Sequence, residues 1–278
     1  MSPMKMDLHM HSDHSDGGDA PRVVVEKAQQ AGITLMALTD HDTVTGVGQA
    51  VKAGLEREIT VLPAVEMDTQ WPSELHILGL DIDIDEPRLA GMLELARQRR
   101  IARNEVIFQR LKEAGYDLEP YLTRSVGSTT RLHIALALVA GGFAETISDA
   151  FNRYLRRGCP GYYTVERFTP EQVVAGILGA GGVPVWAHPF HGGQSVHKML
   201  EMLKSIGILG LEAYHPSASQ GESEILVSLA KQNGLLVTCG SDSHGGNRPG
   251  VTLGCTWRDT PELMESYEFF MERAGQPR

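Results

Sequence analysis

Leu35-Met36-Ala37-Leu38-Thr39-Asp40-His41-Asp42 decides the fold. Its first four residues are apolar and too few for a helix, which marks a strand buried on both faces. The run then ends on an imidazole between two acids. Just upstream, Ala20 to Ala31 has helical spacing, opens with Pro21 and closes at Gly32. The unit is helix, short turn, buried strand and polar strand end.

That unit recurs along the chain. Candidate strands lie near 6–11, 34–39, 60–66, 75–82, 183–188, 208–213 and 235–241, and Thr60-Val61-Leu62 and Val183-Pro184-Val185-Trp186 are clear cases. Pro170 to Ala180, Val196 to Ile206 and Ser223 to Asn233 supply helices between the later strands. Strand–helix alternation with short Gly-containing connections belongs to a parallel α/β sheet or barrel. Seven strands are too many for a small flavodoxin-like sheet and suit a barrel. The alternation stops between residues 86 and 165, where Pro87 to Ala114, Leu132 to Ala140 and Ile147 to Leu155 are helical. The expected organisation is a barrel from 1–85 and 166–278, with a helical insertion at 86–165.

Composition narrows the function. The chain has 278 residues, 42% hydrophobic and 22% charged, with 25 Lys+Arg against 35 Asp+Glu for a net charge of −10. Holding duplex DNA by overall charge is therefore not expected. No apolar run approaches the roughly 20 residues that cross a bilayer, and MSPMKMDLHMHSD carries no apolar signal region. Three cysteines (Cys159, Cys239 and Cys255) without C-x-x-C spacing indicate a reducing, cytoplasmic setting. The charge is uneven, because residues 90–170 hold 12 Lys+Arg and 8 Asp+Glu. A basic insertion above an acidic barrel suits an anionic substrate over a metal site. Arg97, Arg99, Arg100 and Arg103 could equally form a solvated helix face.

Histidine is the informative residue. Asp7-Leu8-His9-Met10-His11 puts two imidazoles at i and i+2, on one face of a strand. Asp16 follows in a Gly-containing turn. His41 and Glu66 lie at the ends of the second and third strands, Glu74-Leu75-His76 opens the fourth, and Ala187-His188-Pro189 closes the fifth. Ser241-Asp242-Ser243-His244 closes the seventh. Strand C-termini of a parallel barrel meet on one face, so these distant residues should share one pocket. A lone strand-end histidine is more often a structural hydrogen-bonder, but six histidines and three acids so placed are not coincidence. Mixed imidazole and carboxylate donors suit Mn²⁺, Fe²⁺ or Zn²⁺ better than Mg²⁺ or Ca²⁺. The count implies two or three ions, with Glu66 bridging; manganese is expected first, iron or zinc otherwise. His14, His197 and His215 are left on the surface or behind the ligands, and His191 either touches substrate or caps a turn.

D-L-H-x-H-S-x-x-S-D-G, T-D-H-D, the strand-end Glu, A-H-P and S-D-S-H together resemble the PHP (polymerase and histidinol phosphatase) family of metal-dependent phosphoesterases. The likeness covers nearly the whole chain. It implies a distorted, amidohydrolase-like (β/α)₇ barrel. It also implies one metal on His9, His11, Glu66 and Asp242, a second on Glu66, His76 and His188, and a third on Asp16, His41 and His244. Many relatives have His at the position of Asp16. Arg131-Leu132-His133-Ile134-Ala135, Phe151-x-x-Tyr154-Leu155 and Ala180-Gly181-Gly182 are similar to the TrpH-like branch, although Leu132 replaces its usual Pro.

That branch implies release of the 3′-phosphate from nucleoside 3′,5′-bisphosphates by a metal-bridging hydroxide, and in some members 5′-to-3′ trimming of short RNA. Arg131 is then expected as a phosphate clamp and His133 as a phosphoryl or leaving-group contact, with His191 nearby. Arg97 or Arg100 would hold the second phosphate. Three competitors are weighed. A histidinol-phosphatase-like enzyme would bring a cationic amine against a basic insertion. A non-catalytic, metal-binding regulatory module should have lost ligands, yet all nine positions carry suitable side chains. An amidohydrolase commonly uses a bridging Lys where this chain offers Glu66.

Overall fold

The computed structural model describes residues 4–71, 75–122, 127–191 and 195–276. Glu74, in the quoted Glu74-Leu75-His76, lies outside the described residues. Seven strands form one sheet in the order of the chain: β1 (Met6–Asp7), β2 (Leu35–Leu38), β3 (Thr60–Asp68), β4 (His76–Leu80), β5 (Val183–Trp186), β6 (Gly210–Tyr214) and β7 (Leu236–Cys239). Backbone bonds from Leu8 to Cys239 and from Asp242 to His9, with a Met10–Ser243 bridge, join the last strand to the first. The ring is thereby closed into a barrel, which shields every strand edge.

One strand departs from the parallel expectation. β4 runs antiparallel to both β3 and β5, while the other neighbours are parallel. Reversal turns its first residue, His76, toward the rim where the other strands end. A histidine at a strand start therefore belongs with histidines at strand ends.

Helices α1 (Pro21–Gln30), α2 (Val47–Arg57), α6 (Pro170–Gly179), α7 (Val196–Ser205), α8 (Gln220–Asn233) and α9 (Pro261–Ala274) flank the barrel. Their starts follow local chemistry: Thr169 and Ser219 cap α6 and α8, with Gln172 and Glu222 reaching back in capping boxes. Gly234 ends α8 in the left-handed conformation at φ 65°.

Between β4 and β5 stand α3 (Pro87–Glu113), α4 (Arg131–Ala140) and α5 (Ile147–Ala150), the last continuing as a π-turn over Phe151–Leu155. At about 1.5 Å per residue, the 27 residues of α3 reach roughly 40 Å. Leu89, Met92 and Leu93 on its first half join the barrel core, whereas Ile107 and Leu111 join a separate apolar cluster with Ile134, Leu138, Tyr154 and Leu155. No helix of the described residues is long and apolar enough to cross a membrane.

Ile177 on α6 is fully buried, and it lies so close over Gly79 of β4 that a Cβ there would meet its Cγ1 at 2.9 Å. Ile177→Ala leaves a cavity between helix and barrel. Urea unfolding should show a loss of about 2–5 kcal/mol; an unchanged midpoint would refute this packing.

Candidate metal centre

The strand ends on one rim turn polar while remaining buried. Asp42, His188 and Asp242 take left-handed φ of 50°, 32° and 50°, a conformation that non-glycine residues adopt at a cost of about 1–3 kcal/mol. The strain turns the chain sharply where the strand stops, carrying these side chains over the barrel mouth. Gly240 is needed for closeness, since a Cβ there would run into His9 and the Glu212 carboxylate.

All nine expected ligands converge on this rim around Glu66, which is 1% exposed. Its Oε2 lies 3.3 Å from His9 Nε2, 3.3 Å from His11 Nε2 and 3.1 Å from His41 Nδ1. Its Oε1 lies 2.7 Å from His76 Nδ1 and 3.2 Å from His188 Nε2. Asp242 Oδ1 is 3.2 Å from His11 Nε2 and 3.6 Å from His9 Nε2. Asp16 is 3.3 Å from His244 Nε2, 3.7 Å from His11 Nδ1 and 3.8 Å from His41 Nε2. His41 thus stands between Glu66 and Asp16.

The donors fit divalent ions on two observations. Among the described residues, His9 Nε2, His11 Nε2, His41 Nδ1 and Glu66 Oε2 are buried without a well-formed hydrogen bond, though they crowd together. Three such nitrogens lying 3.1–3.3 Å from one such oxygen would each, like it, carry a desolvation penalty unless something binds them all. The charges say the same. Burial pushes Glu66 and Asp16 toward neutrality, but His41, His9 and His76 hold Glu66 well below the usual carboxylate range, and His41 and His244 do so for Asp16. Burial lowers His9 and His41 too, yet Glu212, Glu66 and Asp242 keep His9 well above its ordinary value, and Glu66 and Asp16 keep His41 there. His11 is brought down to about 4 by burial and by the charge of His244, which leaves a neutral imidazole. The ionised carboxylates demand positive charge, and a cation can supply it in place of protons.

Sequence reading missed the supports other than His215, which it left on the surface or behind the ligands. Glu212, inside β6, places Oε1 3.0 Å from His9 Nδ1, and its Oε2 accepts the His188 N–H at 2.8 Å. It therefore fixes which nitrogen of His9 faces the centre. An acid inside an apolar strand was the available signal. His215 is buried, with Nε2 3.4 Å from Asp242 Oδ2, and that same oxygen accepts from Arg248 at 2.9 Å. Asp68, two residues after Glu66, touches His41 Nδ1 at 3.4 Å and His76 Nε2 at 3.3 Å. Asp40 accepts from Ser12 N, Ser12 Oγ and Ser15 Oγ, pinning the loop that carries Asp16.

The other expected residues lie as follows. His133 is 7% exposed, and its Nδ1 accepts the Thr130 N–H at 3.2 Å in the cap of α4. Thr130 Oγ1 in turn donates to Asp16 Oδ2 at 2.9 Å. Arg131 is half-buried and donates to the Tyr163 carbonyl at 2.8 Å. His191 is exposed with its ring 5.1 Å from that of His188. Both arginines expected at a second phosphate are paired within the chain: Arg97 with Glu94, and buried Arg100 with Asp42 at 2.6 Å and Asp68 at 2.9 Å. His14 is buried against Thr45, and His197 is exposed.

Known proteins are similar to this chain in sequence and in fold. The PHP domain model matches residues 7–128. A 3′,5′-nucleoside bisphosphate phosphatase of Chromobacterium violaceum is 33% identical over 266 residues, 93% of each chain. A 5′-3′ exoribonuclease of Haemophilus influenzae is 33% identical over 248 residues, 86% of this chain and 90% of its own. The structure of an amidohydrolase from Chromobacterium violaceum, with bound sulfate and no metal, superposes with a TM-score of 0.86 at 31% identity, covering 95% of this chain and 96% of that one. On its motifs, its closed seven-stranded barrel and these likenesses, the chain belongs to the PHP domain family.

Proposed function

We propose that the chain is a metal-dependent phosphatase that removes the 3′-phosphate from nucleoside 3′,5′-bisphosphates, leaving the 5′-monophosphate. The observation that carries this reading is one buried carboxylate, Glu66, within reach of five imidazoles beneath an insertion rich in arginine. The relative named for this activity, matched over 93% of both chains, supports the substrate. The exoribonuclease relative supports a second use on short RNA, since its 5′ end presents the same atoms at the bond cleaved.

His9, His11, Glu66 and Asp242 would hold one divalent ion, Glu66, His76 and His188 a second, and Asp16, His41 and His244 a third, with manganese expected before iron or zinc. When bound, such ions supply a hydroxide nucleophile near neutral pH and neutralise the phosphoryl oxygens. The remaining work falls to the insertion, residues 86–165, acting as a substrate cap. Because His133 Nδ1 accepts the Thr130 N–H, its neutral ring carries the proton on Nε2. Burial lowers its pKa further and keeps it neutral at pH 7. That Nε2–H donates a hydrogen bond to a phosphoryl oxygen or to the 3′-oxygen, which takes up its proton from water as the P–O bond breaks. Arg131, oriented by the Tyr163 carbonyl, offers its guanidinium to phosphate oxygens. His191 contacts substrate beside His188. Three free cysteines accord with a cytoplasmic setting.

Phosphate release from adenosine 3′,5′-bisphosphate by the Mn²⁺-loaded protein tests the reading, with histidinol phosphate and a short 5′-phosphorylated RNA in parallel. 5′-AMP is the expected product; cleavage of another phosphoester alone would overturn the substrate. His9→Ala and Asp242→Ala should lose metal and activity together, as should wild type after chelation until Mn²⁺ is restored. Arg131→Ala should keep its metal while turnover falls by at least tenfold. Glu212→Gln keeps the shape but weakens the acceptor on His9 Nδ1; metal titration should show about 10–100-fold weaker binding, and an unchanged affinity would deny its orienting role.

A further inference from the structure

Arg248 stands across the barrel mouth from the insertion. In the closed ring, β3 and β7 are three or four strands apart, whichever way the order is followed. Arg100, from the insertion, meets the cluster at Asp68 on β3, beside His41 and His76. Arg248, in the turn that follows β7, meets it at Asp242, beside His9 and His11. Residues 187–191, 215–219 and 240–250, which follow β5, β6 and β7, contain no other Lys or Arg. The positive charge of that wall is therefore the charge of Arg248.

Its backbone is fixed while its charge stays open. Arg248 N–H donates to the Gly245 carbonyl at 3.3 Å, and Asn247 N–H donates to the His244 carbonyl at 3.2 Å. Asn247 Nδ2 donates to the Asp16 carbonyl at 3.0 Å, which staples the turn to the loop of Asp16 as well. At the tip, Nη1 donates to Asp242 Oδ2 at 2.9 Å, the one hydrogen bond of this side chain among the described residues. The side chain is 46% exposed. A guanidinium carries five N–H donors in a planar fork, so most of those on Arg248 remain open at the mouth. Asp242 Oδ2 has a second neighbour in His215 Nε2 at 3.4 Å, while Oδ1 faces His9 and His11. An ion pair with so exposed a partner is weak, and charge drawn toward Oδ1 weakens it further. Arg248 thus keeps much of its charge for a second anion.

We propose that Arg248 is a further catalytic residue, whose guanidinium contacts a non-bridging oxygen of the phosphoryl group under attack. The inference rests on the phosphatase reading above and adds a contact from the wall across the mouth. With the leaving nucleoside beneath the insertion, the oxygens that stay on phosphorus face the rim beyond it, where Arg248 stands. One N–H remains on Asp242 and the others turn to the phosphoryl group, which ties the reacting group to a candidate ligand. The bond to the 3′-oxygen breaks as before, and Arg248 neither gives nor takes a proton. Its part is a fixed positive charge on oxygens that stay negative throughout the displacement.

Inorganic phosphate added to the Mn²⁺-loaded protein probes this contact without turnover. Calorimetry should show Arg248→Gln binding it about tenfold or more weakly than wild type. The variant's kcat/KM should fall by about tenfold or more on adenosine 3′,5′-bisphosphate. It should fall by a similar factor on adenosine 3′-monophosphate, because both substrates carry the same reacting group. Manganese titration of the variant should show no loss of affinity, since Arg248 competes with a cation for Asp242. Unchanged phosphate affinity overturns the contact. Weakened manganese binding overturns it as well and leaves Arg248 as a support of Asp242 alone, and a loss confined to the bisphosphate assigns Arg248 to the other phosphate instead. Should the wild type release phosphate from no nucleotide, the phosphatase reading fails, and the titration with inorganic phosphate still judges Arg248 by itself.

Discussion

A carboxylate with 1% exposure and five imidazoles at its two oxygens is the constraint on which the structure turns. Taking an ionised carboxylate out of water costs several kcal/mol unless it is compensated. Protons on the surrounding histidines compensate Glu66 only in part, because crowded imidazolium ions repel each other and His11 is left neutral. Divalent cations solve both difficulties at once, replacing several protons with localised charge and giving the orphaned nitrogens a partner. The centre is therefore a site of poor self-sufficiency, held open by a barrel stable enough to carry it.

The barrel can carry it because the costs are distributed. Every strand contributes one or two polar groups at its rim end, and the apolar body of each strand lies in a continuous core below. Reversing β4 is the one topological adjustment. It brings His76 to the shared rim and lets β3 and β4 pair over five residues, from Ala64 with Leu80 to Asp68 with His76. That pairing sets Glu66, Asp68 and His76 in fixed register. A parallel fourth strand would have left His76 at the opposite end of the barrel.

How much could be read beforehand follows from the range of each signal. The strands, most of the flanking helices and the strand-end histidines are local patterns, a few apolar residues followed by an acid or imidazole, and the sequence displays them directly. The direction of β4 depends on which neighbours it meets, so it was invisible, although His76 itself was legible. Glu212, Asp68, Asp40 and His215 owe their roles to partners far away in the chain: Glu212 serves His9 across 203 positions. Arg103 shows the limit best. In sequence it is one of six arginines on a single helix, all equally suited to water. Only the fold shows that Arg97 faces Glu94, that Arg100 is held by Asp42 and Asp68, and that Arg103 is buried beside neutral acceptors.

Among the described residues, the insertion meets the metal centre at two separated points. Thr130 at the start of α4 donates to Asp16 on one side, and Arg100 on α3 grips Asp68 on the other. Each contact runs to a carboxylate that also touches a histidine of the cluster. The helices that would read the substrate are thus tied to the residues that would hold the metal, and displacement of α3 or α4 would shift Asp68 or Asp16 directly. This geometry divides the labour. Changing the arginines between the two anchors can alter which anion is recognised while the anchors and the barrel rim stay as they are. On the proposed reading, discrimination between a nucleotide and an RNA end would lie in the segment between β4 and β5, and the metal-bearing barrel rim would be common to both uses.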